Sequence, residues 1–148
     1  AIRNGVRPIL LPSKLVSGCC ITLITPDGER TFATYLGAAA DLHADDIQKN
    51  VFTGYDIFHI EGYLVQNYSL MDYVMQTAKQ MGMTICLDLA SYNIVEEKRG
   101  FFTYLLEQFV DIVFANEEES RALTEKNPAQ ALTQLASLCD IAVVSAQS

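Results

Sequence analysis

Residues 111–120 read DIVFANEEES, a short apolar run that passes into an amide and three consecutive carboxylates. A buried strand that only had to join a helix could use almost any turn, so four polar groups at that junction ask where it sits in the fold. The run is one of a series. DIFHI around Ile57, TICLDL around Ile85 and DIAVV around Ile141 share its pattern, and the isoleucines 57, 85, 112 and 141 are separated by 28, 27 and 29 residues. One strand, a crossover and the next parallel strand take ~30 residues. Between the runs the periodicity is helical. In SLMDYVMQTAKQM the residues Leu70, Met71, Val74, Ala78 and Met81 fall on one face, and Gly82 stands where a helix C-cap glycine belongs. Phe101, Phe102, Leu105, Leu106 and Phe109 repeat the pattern. In the last connection Asn127 and Pro128 read as N-cap and N1, with Leu132, Leu135 and Leu138 facing inward. Strand alternating with helix predicts an α/β fold: an open, mainly parallel sheet, doubly wound, with helices on its faces.

The first third departs from this rhythm. SGCCITLITPDGERTFATYL holds two β-branched and aromatic runs on either side of Pro26-Asp27-Gly28, a hairpin signal. The expected organisation is therefore a hairpin over 17–36, with 1–16 and 37–148 belonging to the α/β part. The chain begins without Met and stops at Ser148, just beyond the strand at Ile141, and we read it as a fragment of a longer protein.

Half of the 148 residues are apolar and 19 % are charged, which suits one packed domain and argues against disorder. The formal net charge of −8 comes without a basic cluster, so nucleic acid is not the expected partner. No apolar run approaches the ~20 residues of a bilayer span, which predicts a soluble, cytoplasmic protein. Cys19, Cys20, Cys86 and Cys139 match no metal-site or disulfide spacing and read as buried free thiols. His59, inside DIFHI, reads as a core histidine rather than a base, and zinc has no ligand set. The glycine signatures of dinucleotide-binding and P-loop proteins are both absent.

In open α/β sheets, ligands bind outside the carboxyl ends of the strands. Three strand ends here carry acid or amide groups: Glu61, Asp88, and Asn116 with Glu117, Glu118 and Glu119. Such groups suit Mg²⁺ with its water shell, or the hydroxyls of a sugar. The structural alternative is that Asn116 caps the next helix while the glutamates favour its dipole.

The succession SG-x(8)-DGERT, DIFHIEGYLV, CLDLASYN and DIVFANEEESRALT resembles the ribokinase or PfkB-type carbohydrate kinase family, adenosine-kinase-like members included, in order and over nearly the whole chain. The resemblance implies a kinase that uses ATP and Mg²⁺ to phosphorylate a hydroxyl of a sugar or nucleoside. Asn116 and Glu119 match the family's Asn-x-x-Glu motif, which organises Mg²⁺ and nucleotide phosphates through water. Asp88 takes the strand-end place near the metal, and Glu61 the place of a carboxylate on a sugar hydroxyl. The segment around Arg30 looks like the family's β lid, where Arg30 either contacts substrate or pairs across the hairpin. Ser145 resembles the Thr that opens the nucleotide loop, although the glycines expected after it are missing from AQS. Exposed lid edges often pair with another subunit, which adds a homodimer through the lid to the expectations. The family's glycine-rich first signature would precede Ala1, and its Gly-Ala-Gly-Asp segment with the catalytic base would lie beyond Ser148. The resemblance therefore places no catalytic residue in these 148 and implies that the fragment is inactive alone. From another functional class, a non-catalytic polyol-binding or regulatory module fits the same strand-end carboxylates.

Overall fold

The structure is a computed structural model that describes residues 2–145. It comprises two compact units, the first ending at Asp46 and the second starting at Ile47.

The first unit is built around an antiparallel hairpin of β1 (Ser17–Ile24) and β2 (Arg30–Gly37), paired from Ser17 opposite Gly37 to Ile24 opposite Arg30. Its turn is closed by the Gly28 N–H donating to Thr25 O at 2.9 Å and the Thr25 N–H donating to Glu29 O at 3.0 Å. Gly28 has φ +90°, the left-handed region that favours glycine, so the Asp-Gly pair does supply the turn. Every residue of β1 and all of β2 except Gly37 are exposed. Cys19 and Cys20 are therefore exposed thiols, contrary to the expectation of burial: a two-stranded ribbon has no interior to receive them.

The second unit holds four parallel strands, β3 (Ile57–Glu61), β4 (Thr84–Asp88), β5 (Ile112–Asn116) and β6 (Ile141–Ser145), in the order β3-β4-β5-β6. Each expected strand is thus found, parallel to its neighbours. Helix α1 (Tyr68–Gln80) joins β3 to β4. Helices α2 (Tyr92–Glu97) and α3 (Arg99–Gln108) lie between β4 and β5, and α4 (Glu117–Thr124) and α5 (Pro128–Leu135) between β5 and β6. Gly82 follows α1 with φ +73°, and the Asn127 side chain accepts from the Gln130 N–H with Pro128 at N1, as the sequence indicates. The order is monotonic, and the reversal that winds a sheet both ways does not occur among the described strands. With right-handed crossovers throughout, a monotonic order puts every connection on one face.

Burial follows that geometry. Ile60, Ile85, Leu87, Val113 and Ala115 point to the helices and are buried with Met71, Met75, Phe102, Leu105 and Leu106. The alternate positions form the other face, where Ile57 and Ile141 are 61 % and 51 % exposed. His59 lies on this face, exposed and edge-on to Phe114 at 6.3 Å, so it is not the core residue its apolar neighbours suggested. A period-2 strand on the sheet edge shows half of its residues to solvent. In α5 the buried positions are Ala131 and Leu135; Leu135 faces inward as expected, whereas Leu132 is 39 % exposed and Ala131 takes the inward place beside it.

Asp111 ties the amino-terminal ends of these strands together. Its Oδ2 accepts from the Ile85 N–H and its Oδ1 from Lys79 Nζ, both at 2.7 Å, while its backbone oxygen accepts from the Ile141 N–H at 3.0 Å.

Candidate functional site

The opposite edge of the sheet carries the strand-end polar groups. Pairing sets Glu61 beside Asp88 and Asn116 beside Ser145, with Asp88 opposite Phe114, two residues before Asn116. Because strand side chains alternate, Glu61, Asp88, Asn116 and Ser145 all lie on the face away from the helices. The register thus brings these four residues along one edge of one face. Arg30 belongs to the other unit. It stands exposed at the start of β2 opposite Ile24, and its side chain makes no ion pair among the described residues, so no cross-hairpin salt bridge is formed there. The AQS segment that follows Ser145, through Ser148, lies outside the described residues, and so does the place beyond Ser148 where the catalytic base is expected.

The junction VFANEEES is a capping box. Asn116 Oδ1 accepts from the Glu119 N–H at 2.8 Å, and Glu119 Oε2 accepts from the Asn116 N–H at 2.9 Å. This satisfies the first-turn donors of α4 and explains an Asn and a Glu three residues apart on purely structural grounds. It also fixes the Glu119 carboxyl in an unusual place. Only 6 % of Glu119 is exposed, and burial pushes its pKa up; the Asn116 backbone N–H pulls it down, and the negative charges of Asp88 and Glu118 push it up again. Glu118, one position earlier, is exposed. Of the three glutamates, the helix turns only Glu119 into the structure.

Asp88 is half-buried, and its Oδ1 accepts from the Ala90 N–H at 2.9 Å. The chain bends sharply there: Ala90 has φ +65° and the Ser91 N–H donates to Leu89 O at 2.8 Å. Glu61 is exposed at the end of β3, followed by the buried Gly62 and a 3-10 turn, Gly62–Gln66. Gly62 and Ala90 carry no signature in the sequence. A glycine after an acid and a single Ala in CLDLASYN carry no local signal, because what distinguishes them is a neighbouring strand.

No group of three or more His, Cys, Asp or Glu residues converges on a metal position among the described residues. Among the carboxylates of this edge, Asp88 lies near enough to Glu119 for its charge to act on it. Mg²⁺ keeps several waters and is commonly held by one or two carboxylates together with substrate phosphates, so this donor set fits a shared, water-mediated Mg²⁺ and not a closed protein cage.

Residues 12–145 match the pfkB family carbohydrate kinases. The chain belongs to that family. It is 29 % identical over 136 residues to the guanosine-inosine kinase of Escherichia coli K12, an alignment covering 87 % of this chain and 31 % of that protein. The adenosine kinase from Sinorhizobium meliloti superposes with a TM-score of 0.81 at 31 % identity, over 88 % of this chain and 41 % of that one. An E. coli protein assigned to ribokinase II, solved in complex with ATP and Mg²⁺, gives a TM-score of 0.69 at 21 % identity over 86 % and 44 % of the two chains, a likeness of fold. The chain thus spans about a third of the length of the curated kinases it matches. No helix among the described residues is long and apolar enough to cross a membrane.

Proposed function

We propose that the full-length protein is a cytoplasmic, ATP-dependent kinase that phosphorylates a hydroxyl of a sugar or nucleoside, and that this chain supplies its metal-facing edge and its lid. The observation that supports this most directly is the register of the sheet, which sets Glu61, Asp88, Asn116 and Ser145 along one strand-end edge in a member of the pfkB family. In this reading Glu61 accepts from the acceptor's hydroxyl. Asp88, Asn116 and Glu119 hold Mg²⁺ through its water shell, and Ser145 opens the nucleotide loop. The base that takes the hydroxyl proton comes from sequence after Ser148. Bound Mg²⁺ supplies charge neutralisation on the transferring phosphoryl group. The hairpin over 17–36 is the lid, with Arg30 directed to substrate, and its open strand edges favour a homodimer. Purine nucleosides are the first acceptors to try, given the guanosine-inosine and adenosine kinases among the relatives.

The test is Glu119→Gln against Glu118→Gln in the full-length kinase. Glutamine can serve at the third position of a capping box, so Glu119→Gln keeps the cap and removes the charge. The expected loss of Mg²⁺-dependent activity is on the order of 10–100-fold for Glu119→Gln and far smaller for Glu118→Gln, with added Mg²⁺ restoring part of it. Equal behaviour of the two variants leaves only the capping role.

A further inference from the structure

Gly62 lies buried directly after Glu61, and its φ is outside the left-handed region, so its backbone conformation does not call for glycine. Space does. A Cβ at this position would stand 2.5 Å from the Leu89 carbonyl oxygen, 2.9 Å from the Leu89 carbonyl carbon and 3.0 Å from the Asp88 carbonyl oxygen. All three are backbone atoms, which cannot swing aside as the tip of a side chain can. The exit of β3 therefore rests directly on the peptide that follows Asp88.

That peptide is restrained from its other side as well. The Leu89 N–H donates to Phe114 O at 3.0 Å, which ties it to β5, and the Asp88 carboxylate holds the Ala90 N–H. Ala90 is one of two non-glycine residues with positive φ among the described residues, and a side chain there is disfavoured unless its surroundings impose the conformation. The contact at Gly62 and the turn at Ala90 thus act on one segment, which carries Asp88 at its start and abuts Glu61 across the sheet.

We infer that Gly62 is a positioning residue: by lacking a Cβ it lets the exit of β3 close onto the Leu89 peptide, and this contact sets the spacing between the Glu61 and Asp88 carboxylates. The inference rests on the proposed reading of Glu61 as the acceptor contact and Asp88 as a metal-side group. It adds that the two halves of the site, acceptor and metal, are spaced by a backbone contact outside both. Substituting Gly62 must move one strand end relative to the other, so acceptor and Mg²⁺ requirements should change together.

The experiment uses the full-length kinase with a purine nucleoside acceptor, ATP and varied Mg²⁺. Gly62→Ala is expected to raise both the KM for the acceptor and the Mg²⁺ concentration giving half-maximal rate, each on the order of 10-fold, since small misplacements of reacting groups are costly. A folding defect alone would lower the amount of active enzyme and leave both constants at their wild-type values; that result overturns the inference. If Gly62→Ala does not fold, Ala90→Val carries the test, because a β-branched residue resists positive φ and disturbs the same segment from the Asp88 side. It is expected to produce the same paired rise, and unchanged constants again overturn the inference. Glu61→Gln and Asp88→Asn are measured alongside. If neither of these alters the constants, the reading of the site itself fails. If both do and the Gly62 and Ala90 variants do not, only the positioning role fails.

Discussion

The hairpin and the parallel sheet are both apolar β-structure, yet they stand in opposite relation to solvent. In β4 the residues Ile85, Cys86 and Leu87 are all buried, whereas in β1 Ile21, Leu23 and Ile24 are each at least 60 % exposed. Composition does not separate the two. The difference lies in the connections: each link between parallel strands is long enough to carry a helix that covers the strands, while the five-residue turn of the hairpin carries nothing. Apolar side chains on the helix-covered face of the sheet have their partners in the same unit. Those of the hairpin do not, and an isolated two-stranded ribbon is marginal in water.

Substitution in the core is the strongest way to break that contrast. Phe102→Ala removes a fully buried ring on α3 and should cost about 3–5 kcal/mol, read from urea unfolding monitored by circular dichroism. Phe32→Ala, at a hairpin ring that is 57 % exposed, is the matching experiment; a cost comparable to that of Phe102 would show that the hairpin is a structural part of the core. Smaller, and confined to the sheet, is Asp111→Ala. It leaves the Ile85 N–H without its acceptor and Lys79 without its partner, and the expected cost is about 1–3 kcal/mol in the same unfolding measurement. Asp111→Asn, which keeps an acceptor, should recover part of it.

The next effect depends on pH. Burial raises the pKa of Glu119 above its ordinary 4.5, so between 4.5 and the raised value the native state holds a proton that the unfolded chain has released. Stability from this group is complete below 4.5 and falls as pH rises through the folded value, leaving the ionised form least favourable at neutral pH. Glu119→Gln does not titrate and keeps the cap. Its stability relative to wild type should therefore increase from below pH 4.5 to pH 7; parallel curves would show that the native environment does not disfavour the charge. The hairpin gives the smallest effects. Arg30→Ala and Phe32→Ala should each change stability by within about 0.5 kcal/mol at low protein concentration, the range of ordinary surface substitutions. A cost that grows with protein concentration in sedimentation and melting experiments would place a second copy on the hairpin.

Regularity in the sequence marks what could be read from it. The isoleucine spacing located all four parallel strands, and Pro26-Asp27-Gly28 the hairpin turn, because strand period and turn chemistry are local. Burial was less legible. His59, Cys19, Cys20 and Leu132 have apolar neighbours in sequence, but their exposure depends on which face of a strand or helix is covered, and by what. The phenylalanine pattern over 101–109 marks α3, but nothing in it marks the short α2 (Tyr92–Glu97) that precedes it. At the candidate site, strand ends could be listed from the sequence, but the pairing that sets Glu61 beside Asp88 could not. The contact between Gly62 and Leu89 joins residues 27 apart and leaves no trace in either segment alone.

The monotonic strand order also bears on how the sheet is made during synthesis. Each strand pairs with the one translated just before it, as in Ile57 with Thr84 and Ile112 with Ile141. At ~5–20 residues per second a ribosome takes roughly 1–6 s to add the ~28 residues of one repeat, whereas loops close and helices form in microseconds or less. Every strand thus has time to dock on a finished edge before its successor emerges. Among these four strands each new one meets the free edge of the strand before it, so their pairing follows the direction of translation.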